Sequence, residues 1–322
     1  MTTQQDIMLA FANFMVSGNP GDHSHSLGIS LVSHSEGKVT MMLDYHNAIV
    51  ASPETGAIAG GAVTTLLDSC SGCCAVTVQD PIGLTPTIDL RIDYLRAPVI
   101  NKPIFAEVKI LNVTPHVIFT QGIAWQEEGV PIATSTGNFM NKPAPWLEKE
   151  IGKYINVMDN NLPKRISLAE EVITIDSEHC ANVFKQAREQ NNANLLIDFI
   201  PYAKLLGMQR IETQEADKWW YQLTPSHSLI GNPTLPAIHG GALAGFMEIS
   251  ALLHLTMKMD VVHFPKTVDF SIDYIRAGLL KNTYARCKIN RFGNKLISMT
   301  IEAWQDEQTK PIAKARMQVL IK

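Results

Sequence analysis

An excess of charge of one sign, long apolar runs, a basic leader and paired cysteines are all missing from this 322-residue chain. Each absence removes a class of protein. Lys and Arg number 27 against 31 Asp and Glu, a formal net charge of −4, so nothing electrostatic favours nucleic acid as a partner. No apolar stretch approaches the roughly 20 residues of a membrane span. Met1 to Gly18 carries Asp6 and no Lys or Arg, unlike the basic start of a signal peptide, and a cytoplasmic location is expected. The five cysteines are an odd number, and Cys70, Cys73 and Cys74 cluster without a second Cys/His pair nearby. Their spacing suits the later turns of an apolar helix. Small buried thiols filling a helix face are expected there, with no metal and no disulfide.

What the chain does contain is one domain twice. Gly60-Gly61-Ala62 recurs 180 positions later as Gly240-Gly241-Ala242. The same shift carries Thr87 onto Thr267, Asp89 onto Asp269, Asp93-Tyr94 onto Asp273-Tyr274, and Arg96-Ala97 onto Arg276-Ala277. It also carries Pro53 onto Pro233 and Pro131-Ile132-Ala133 onto Pro311-Ile312-Ala313. A constant offset through separate blocks is the mark of a tandem repeat. With 46% hydrophobic and 18% charged residues, the chain can build two ordinary cores.

Each copy reads in the same order: a short helix, a polar strand, a Pro/Gly loop, a long apolar helix, then several strands. The long helices are predicted over about Gly61–Val76 and Gly241–Met257. Thr87 to Tyr94 and Thr267 to Tyr274 alternate polar with apolar, as half-buried antiparallel strands do. Three further strands follow in each copy. One buried helix against one antiparallel sheet is an α+β architecture. The predicted division is 1–145 for the first domain, 146–192 for a connector with a charged helix over Asp176 to Gln190, and 193–322 for the second domain. Ala193 to Leu206 resembles an amphipathic lead-in helix, Asp6 to Val16, of the first copy.

Asp68 is the one charged side chain between Gly61 and Val76, and Glu248, at the same slot, is the one between Gly241 and Leu253. A carboxylate alone in an apolar helix is expensive unless it is paired, neutralised or needed. The Gly-Gly pairs Gly60-Gly61 and Gly240-Gly241 open the same helices, where free N–H groups and the dipole can polarise a carbonyl and glycine lets a ligand approach. Gly60 and Asp68 lie about 12 Å apart along one helix, too far to serve one carbonyl together. Two antiparallel helices solve this, and predict two composite sites: Asp68 facing Gly240, and Glu248 facing Gly60. His23, His25, His34, His46 and His116 fall in loop-like or polar stretches and receive no role. His263 precedes a strand and receives none either.

These residues resemble the PaaI-like hotdog-fold thioesterases. His239-Gly240-Gly241 with Glu248, and Ala59-Gly60-Gly61 with Asp68, are each followed by Thr-x-Asp-x-x-Ile-Asp-Tyr-x-Arg-Ala. The resemblance implies two tandem hotdog domains, each a sheet wrapped around its central helix, closing into an internal pseudo-dimer. It also implies hydrolysis of acyl-CoA thioesters with no cofactor other than the coenzyme A of the substrate. Carried over, Gly240 and Gly60 would hold the thioester carbonyl, and Asp68 and Glu248 would activate water or attack directly. Thr87 and Thr267 would lie near the substrate, while Arg96 and Arg276 could meet CoA phosphates. Ala59 stands where the family has histidine, Glu248 where it usually has aspartate, and Pro53 and Pro233 where it has asparagine; Asn232 is one position off and could substitute. Asp68 with His239-Gly240 therefore keeps the family pattern, and Glu248 with Ala59-Gly60 departs from it on both sides.

Two other readings stand beside hydrolysis. A non-catalytic acyl-CoA or fatty-acyl binding protein would explain the missing asparagine and Ala59. A hotdog hydratase or dehydratase would need a histidine facing an acid, for which His239 and Asp68 are the available pair. Acyl-chain length is not written in the spacing, and symmetry leaves open a further homodimer.

Overall fold

A computed structural model describes residues 22–147, 174–212, 219–232 and 236–321. The predicted lead-in helix Asp6 to Val16 lies outside the described residues. In the first half, helix α1 (His23–Ser26) leads into strands β1 (Ile29–Ser35) and β2 (Lys38–Leu43), then the short β3 (Val50–Ser52) and β4 (Ala57–Ile58). Helix α2 (Gly60–Val76) follows, then β5 (Gly83–Leu84), β6 (Thr87–Tyr94), β7 (Ile104–Val113), β8 (Val117–Glu127), β9 (Val130–Met140) and β10 (Lys142–Pro143).

The second half begins with α3 (Ser177–Glu189), α4 (Asn194–Phe199) and α5 (Pro201–Leu206). Pro201, which lacks an N–H and fixes φ, sits at the first turn of α5, so Ala193 to Leu206 forms two short helices rather than one. Then come β11 (Met208–Ile211), β12 (Trp220–Leu223), β13 (Ile230–Asn232), β14 (Ala237–Ile238) and helix α6 (Gly240–Thr256). Strands β15 (Lys266–Tyr274), β16 (Thr283–Phe292), β17 (Leu296–Trp304) and β18 (Ala313–Leu320) complete the half.

Twelve strands form one sheet in the order β1-β2-β7-β8-β9-β6-β15-β18-β17-β16-β12-β11. The order is symmetric about the central pair, which is antiparallel, with Leu90 opposite Ile272 and Asp93 opposite Asp269. Both long helices are mainly apolar and almost wholly buried, α6 at every position after Gly240 and α2 at all but Gly60, Ser69 and Gly72, as suits a helix enclosed by sheet. Helix α2 packs on β2, β7 and β8, helix α6 on β16, β17 and β18, and the two helices pack on each other.

Their crossing is set by glycine. A Cβ on Gly61 would lie 2.5 Å from the Gly245 Cα, and one on Gly241 would lie 2.6 Å from the Thr65 Cα. Any side chain there would push the helix backbones apart. Rising numbers in one helix meet falling numbers in the other, so the helices are antiparallel. The three thiols of α2 are buried, Cys70 against the Val39 and Ala106 carbonyls and Cys74 against that of Val108. Helix α3 carries the chain back past the first half. The Ile175 N–H bonds the Pro53 carbonyl, Ser177 bonds Glu54, and Arg188 pairs with Asp260 at 2.9 Å.

Candidate active site

The antiparallel crossing carries each helix's acid to the other helix's N-terminus. A Cβ on Gly240 would lie 2.8 Å from Asp68 Oδ2, and a Cβ on Gly60 would collide with the Glu248 carboxylate. Both carboxylates are nearly sealed from solvent, Asp68 at 4% exposure and Glu248 at 2%. Burial raises Asp68 to about 6, opposed by hydrogen bonds from Thr87 and the Gly241 N–H. It raises Glu248 to about 7, opposed by bonds from Tyr94 and Thr267. At neutral pH Asp68 is therefore an ionised carboxylate, more basic than an exposed one.

Thr87 donates to Asp68 Oδ1 at 2.9 Å, and Thr267 donates to Glu248 Oε1 at 3.1 Å. Strict alternation would put Thr87 on the face of Asp89 and Arg91, away from the helix. A bulge between Thr87 and Asp89, repeated between Thr267 and Asp269, turns each threonine inward. That bulge is invisible in the residue pattern.

The two acids then part company. Glu248 Oε2 accepts from the Tyr94 hydroxyl at 3.0 Å, so both of its oxygens are held. The counterpart of Tyr94, Tyr274, donates instead to the Gly240 carbonyl at 2.8 Å. Asp68 is one methylene shorter, and its Oδ2 is left 3.6 Å from His239 Nδ1. Burial lowers His239 to about 4, so the imidazole is neutral near pH 7 and this pair carries no ionic attraction. The Gly240 N–H lies in the first turn of α6, where no helical acceptor exists for it.

A cavity of about 660 Å³ opens on Asp68, His239 and Gly240. Gly72, Cys73, Val76, Leu84 and Phe139 make an apolar wall along α2, and Arg276 stands on its lining. Gly72 provides the room: at its position in the second half stands Leu252, which is buried.

The other expected substrate contacts fall as follows. Arg276 and Arg96 occupy matching strand ends and donate to the carbonyls of Pro311 (2.6 Å) and Pro131 (2.7 Å); Arg96 does not line this cavity. Gly61 and Gly241 lie in the helix crossing, and the Gly241 N–H donates to His239 Nδ1 at 2.9 Å. Asn232 is placed in β13 by its backbone, and its side chain lies outside the described residues. His23 corrects the reading of the early histidines. It lies in α1, 1% exposed, with its ring 5.6 Å from that of His239. His116 lines the cavity. No repeat signal could have found His23, because the other half carries Tyr202 at that position.

The fold and the paired sites define a class, the tandem hotdog protein with helix-embedded carboxylates. The thioesterase superfamily model matches the chain twice, over residues 55–133 and 235–312. This chain belongs to the thioesterase superfamily, in tandem form. It is 26% identical over 129 residues to the medium/long-chain acyl-CoA thioesterase YigI of Escherichia coli K12, a match spanning 35% of this chain and 81% of that protein. A solved Pseudomonas aeruginosa structure is 37% identical, covering 42% of this chain and 98% of its own, with a TM-score of 0.38. A hot dog fold protein from Alicyclobacillus acidocaldarius is 11% identical but covers 92% of this chain and 97% of its own, with a TM-score of 0.54. That last likeness establishes the hotdog fold over most of the chain. Among the described residues, no helix is long and apolar enough to cross a membrane.

Proposed function

We propose that this protein hydrolyses acyl-CoA thioesters to free acid and CoA at one composite site, with Asp68 given by the first half and His239-Gly240 by the second. The observation that carries the reading is the basic, buried Asp68 carboxylate beside the N-terminus of α6, at the wall of an apolar cavity. The Gly240 N–H receives the thioester carbonyl oxygen and stabilises the charge that develops on it. Asp68 either draws a proton from water, which attacks the carbonyl carbon, or attacks that carbon itself. In both cases the C–S bond breaks and the CoA thiolate leaves and takes up a proton; in the second, water then hydrolyses the acyl–Asp68 anhydride, releasing the free acid and restoring the carboxylate. Thr87 holds the carboxylate in place. The acyl chain runs along the α2 wall past Gly72, and Arg276 is set to meet the CoA phosphates. The Glu248 pair is silent, because both its oxygens are occupied and Ala59 replaces the histidine. The chemistry uses side chains and a backbone amide and calls for no metal.

The test is steady-state hydrolysis of acyl-CoA esters of increasing chain length, with released CoA read by a thiol reagent. Turnover is expected. Tight binding of the esters without turnover would leave a binding protein, and hydration of an enoyl-CoA in place of hydrolysis would overturn the reaction class.

A further inference from the structure

We propose that Ser69 is a positioning residue of the Asp68 site: together with the Gly241 N–H it holds His239 in the tautomer that meets the carboxylate with a lone pair rather than a proton. This rests on the hydrolytic reading above. His239 Nδ1 accepts the Gly241 N–H at 2.9 Å, so that nitrogen is bare and the ring proton sits on Nε2. Nε2 lies 3.1 Å from Ser69 Oγ, which lies 3.2 Å from Ser24 Oγ on α1. A single chain results. His239 gives its proton to Ser69, and Ser69 is free to give its own to Ser24.

The consequence is read at Asp68. Nδ1 is 3.6 Å from Oδ2, and two bare acceptors form no hydrogen bond. In the other tautomer, an N–H would point at the carboxylate, bond it and make it a weaker base. The Gly241 N–H would lose its bond to His239 Nδ1 in the same step. The Gly241 N–H keeps Nδ1 bare, and Ser69, by accepting the Nε2 proton in a buried place, completes that tautomer, keeps Asp68 basic and holds the imidazole still.

The second half supplies an internal control. Gly28 and Gly207 both adopt a left-handed backbone at the end of the lead-in segment and set the register between the halves. In that register Ser24 corresponds to Ala203. The helix repeat pairs Ser69 with Ile249 and His239 with Ala59. All three members of the chain become apolar together, while the acid and its threonine remain. A serine kept only for packing would have no reason to disappear with the histidine. Of the remaining groups facing this pair, His23 and Tyr274 hold their protonation near neutrality, and Asp22 titrates in the same range as Asp68, which is why the tautomer signals are read beside the acid limb. His23 on α1 is held to about 3 by burial and by His239, burial raises the buried Tyr274 hydroxyl well above its usual range, and Asp22 at the start of α1 is raised to about 6 by burial.

Nitrogen-15 NMR of the histidine-labelled protein tests this directly, with the His239 signals assigned by their loss in His239→Asn. The wild type is expected to show His239 protonated on Nε2 alone. In Ser69→Ala the single tautomer is lost, the acid limb of kcat/KM moves to lower pH, and kcat falls about tenfold with KM unchanged, a barrier change of about 1.4 kcal/mol. Ser69→Thr restores the hydroxyl and all three readouts. A wild type protonated on Nδ1 would overturn the proposal, as would a Ser69→Ala protein whose tautomer and acid limb both stay put. If the wild type turns over no thioester, the hydrolytic reading fails, while the tautomer signals still decide the role of Ser69.

Discussion

The Tyr94 hydroxyl donates to Glu248 at 3.0 Å, whereas Tyr274, its equivalent by repeat, passes Asp68 by and donates to the Gly240 carbonyl at 2.8 Å. One methylene decides the difference. The longer glutamate reaches the tyrosine and is held through both oxygens. The shorter aspartate keeps one oxygen unclaimed by a hydroxyl, next to the helix N-terminus. The two matching pairs thus differ in how their acids are held, Glu248 through two side-chain hydroxyls and Asp68 through one.

The proposed reaction at Asp68 has a pH signature. On the proposed hydrolytic reading Asp68 works as the ionised carboxylate, and burial raises it to about 6. The pH profile of kcat/KM should rise tenfold per unit below about pH 6 and level off above it. A limb near the ordinary carboxylate range, about 4, would show that another group controls the reaction.

The same raised pKa links Asp68 to stability, with a definite sign. The folded state holds this proton more tightly than the unfolded chain, where the value is 3.8. The stabilising contribution is therefore complete below pH 3.8 and lost as the pH rises through about 6. A shift of this size corresponds to roughly 3 kcal/mol. Asp68→Asn should melt higher than wild type at pH 8, and the gap should close at pH 4. His239 has the opposite dependence but is common to both proteins, so it cancels. Equal melting differences at the two pH values would contradict the raised value.

Two glycines at the site make separate predictions. A Cβ in Gly240→Ala would press on Asp68 Oδ2 at 2.8 Å and on the Tyr274 hydroxyl at 3.2 Å. Turnover should fall on the order of 100-fold with the fold intact, since small displacements of reacting groups have effects of that size. Gly72→Leu copies the side chain of Leu252 into the cavity wall. It should remove activity on long acyl chains and spare acetyl-CoA; an equal loss on all chain lengths would place the acyl group elsewhere.

The glycines of the helix crossing behave differently. Gly61→Ala forces a methyl against the Gly245 Cα at 2.5 Å, a backbone contact with no flexible partner to give way. Destabilisation of about 1–3 kcal/mol is expected, read by denaturant melts. A neutral result would mean that the helices do not cross at Gly61.

The repeat, the long helices and the facing of Asp68 with Gly240 were all legible in the sequence, because each rests on spacing along one helix or on a constant offset. What escaped depends on geometry across elements. The inward turn of Thr87 and Thr267 comes from a bulge that leaves the alternation of residue types undisturbed. The capture of Glu248 by Tyr94 depends on side-chain reach, which composition does not report. His23, against His239 from α1, and Ser69, from a cavity-facing position of α2, have counterparts, Tyr202 and Ile249, that differ. A method that trusts what the copies share passes over what only one copy has.

The most direct measurement compares acyl-CoA hydrolysis by wild type, Asp68→Asn and Glu248→Gln at pH 8. Asp68→Asn should lose activity by a factor of about 100 or more, while Glu248→Gln stays within a few-fold of wild type. Loss in Glu248→Gln with Asp68→Asn still active would contradict the assignment of the reaction to the Asp68 and Gly240 pair.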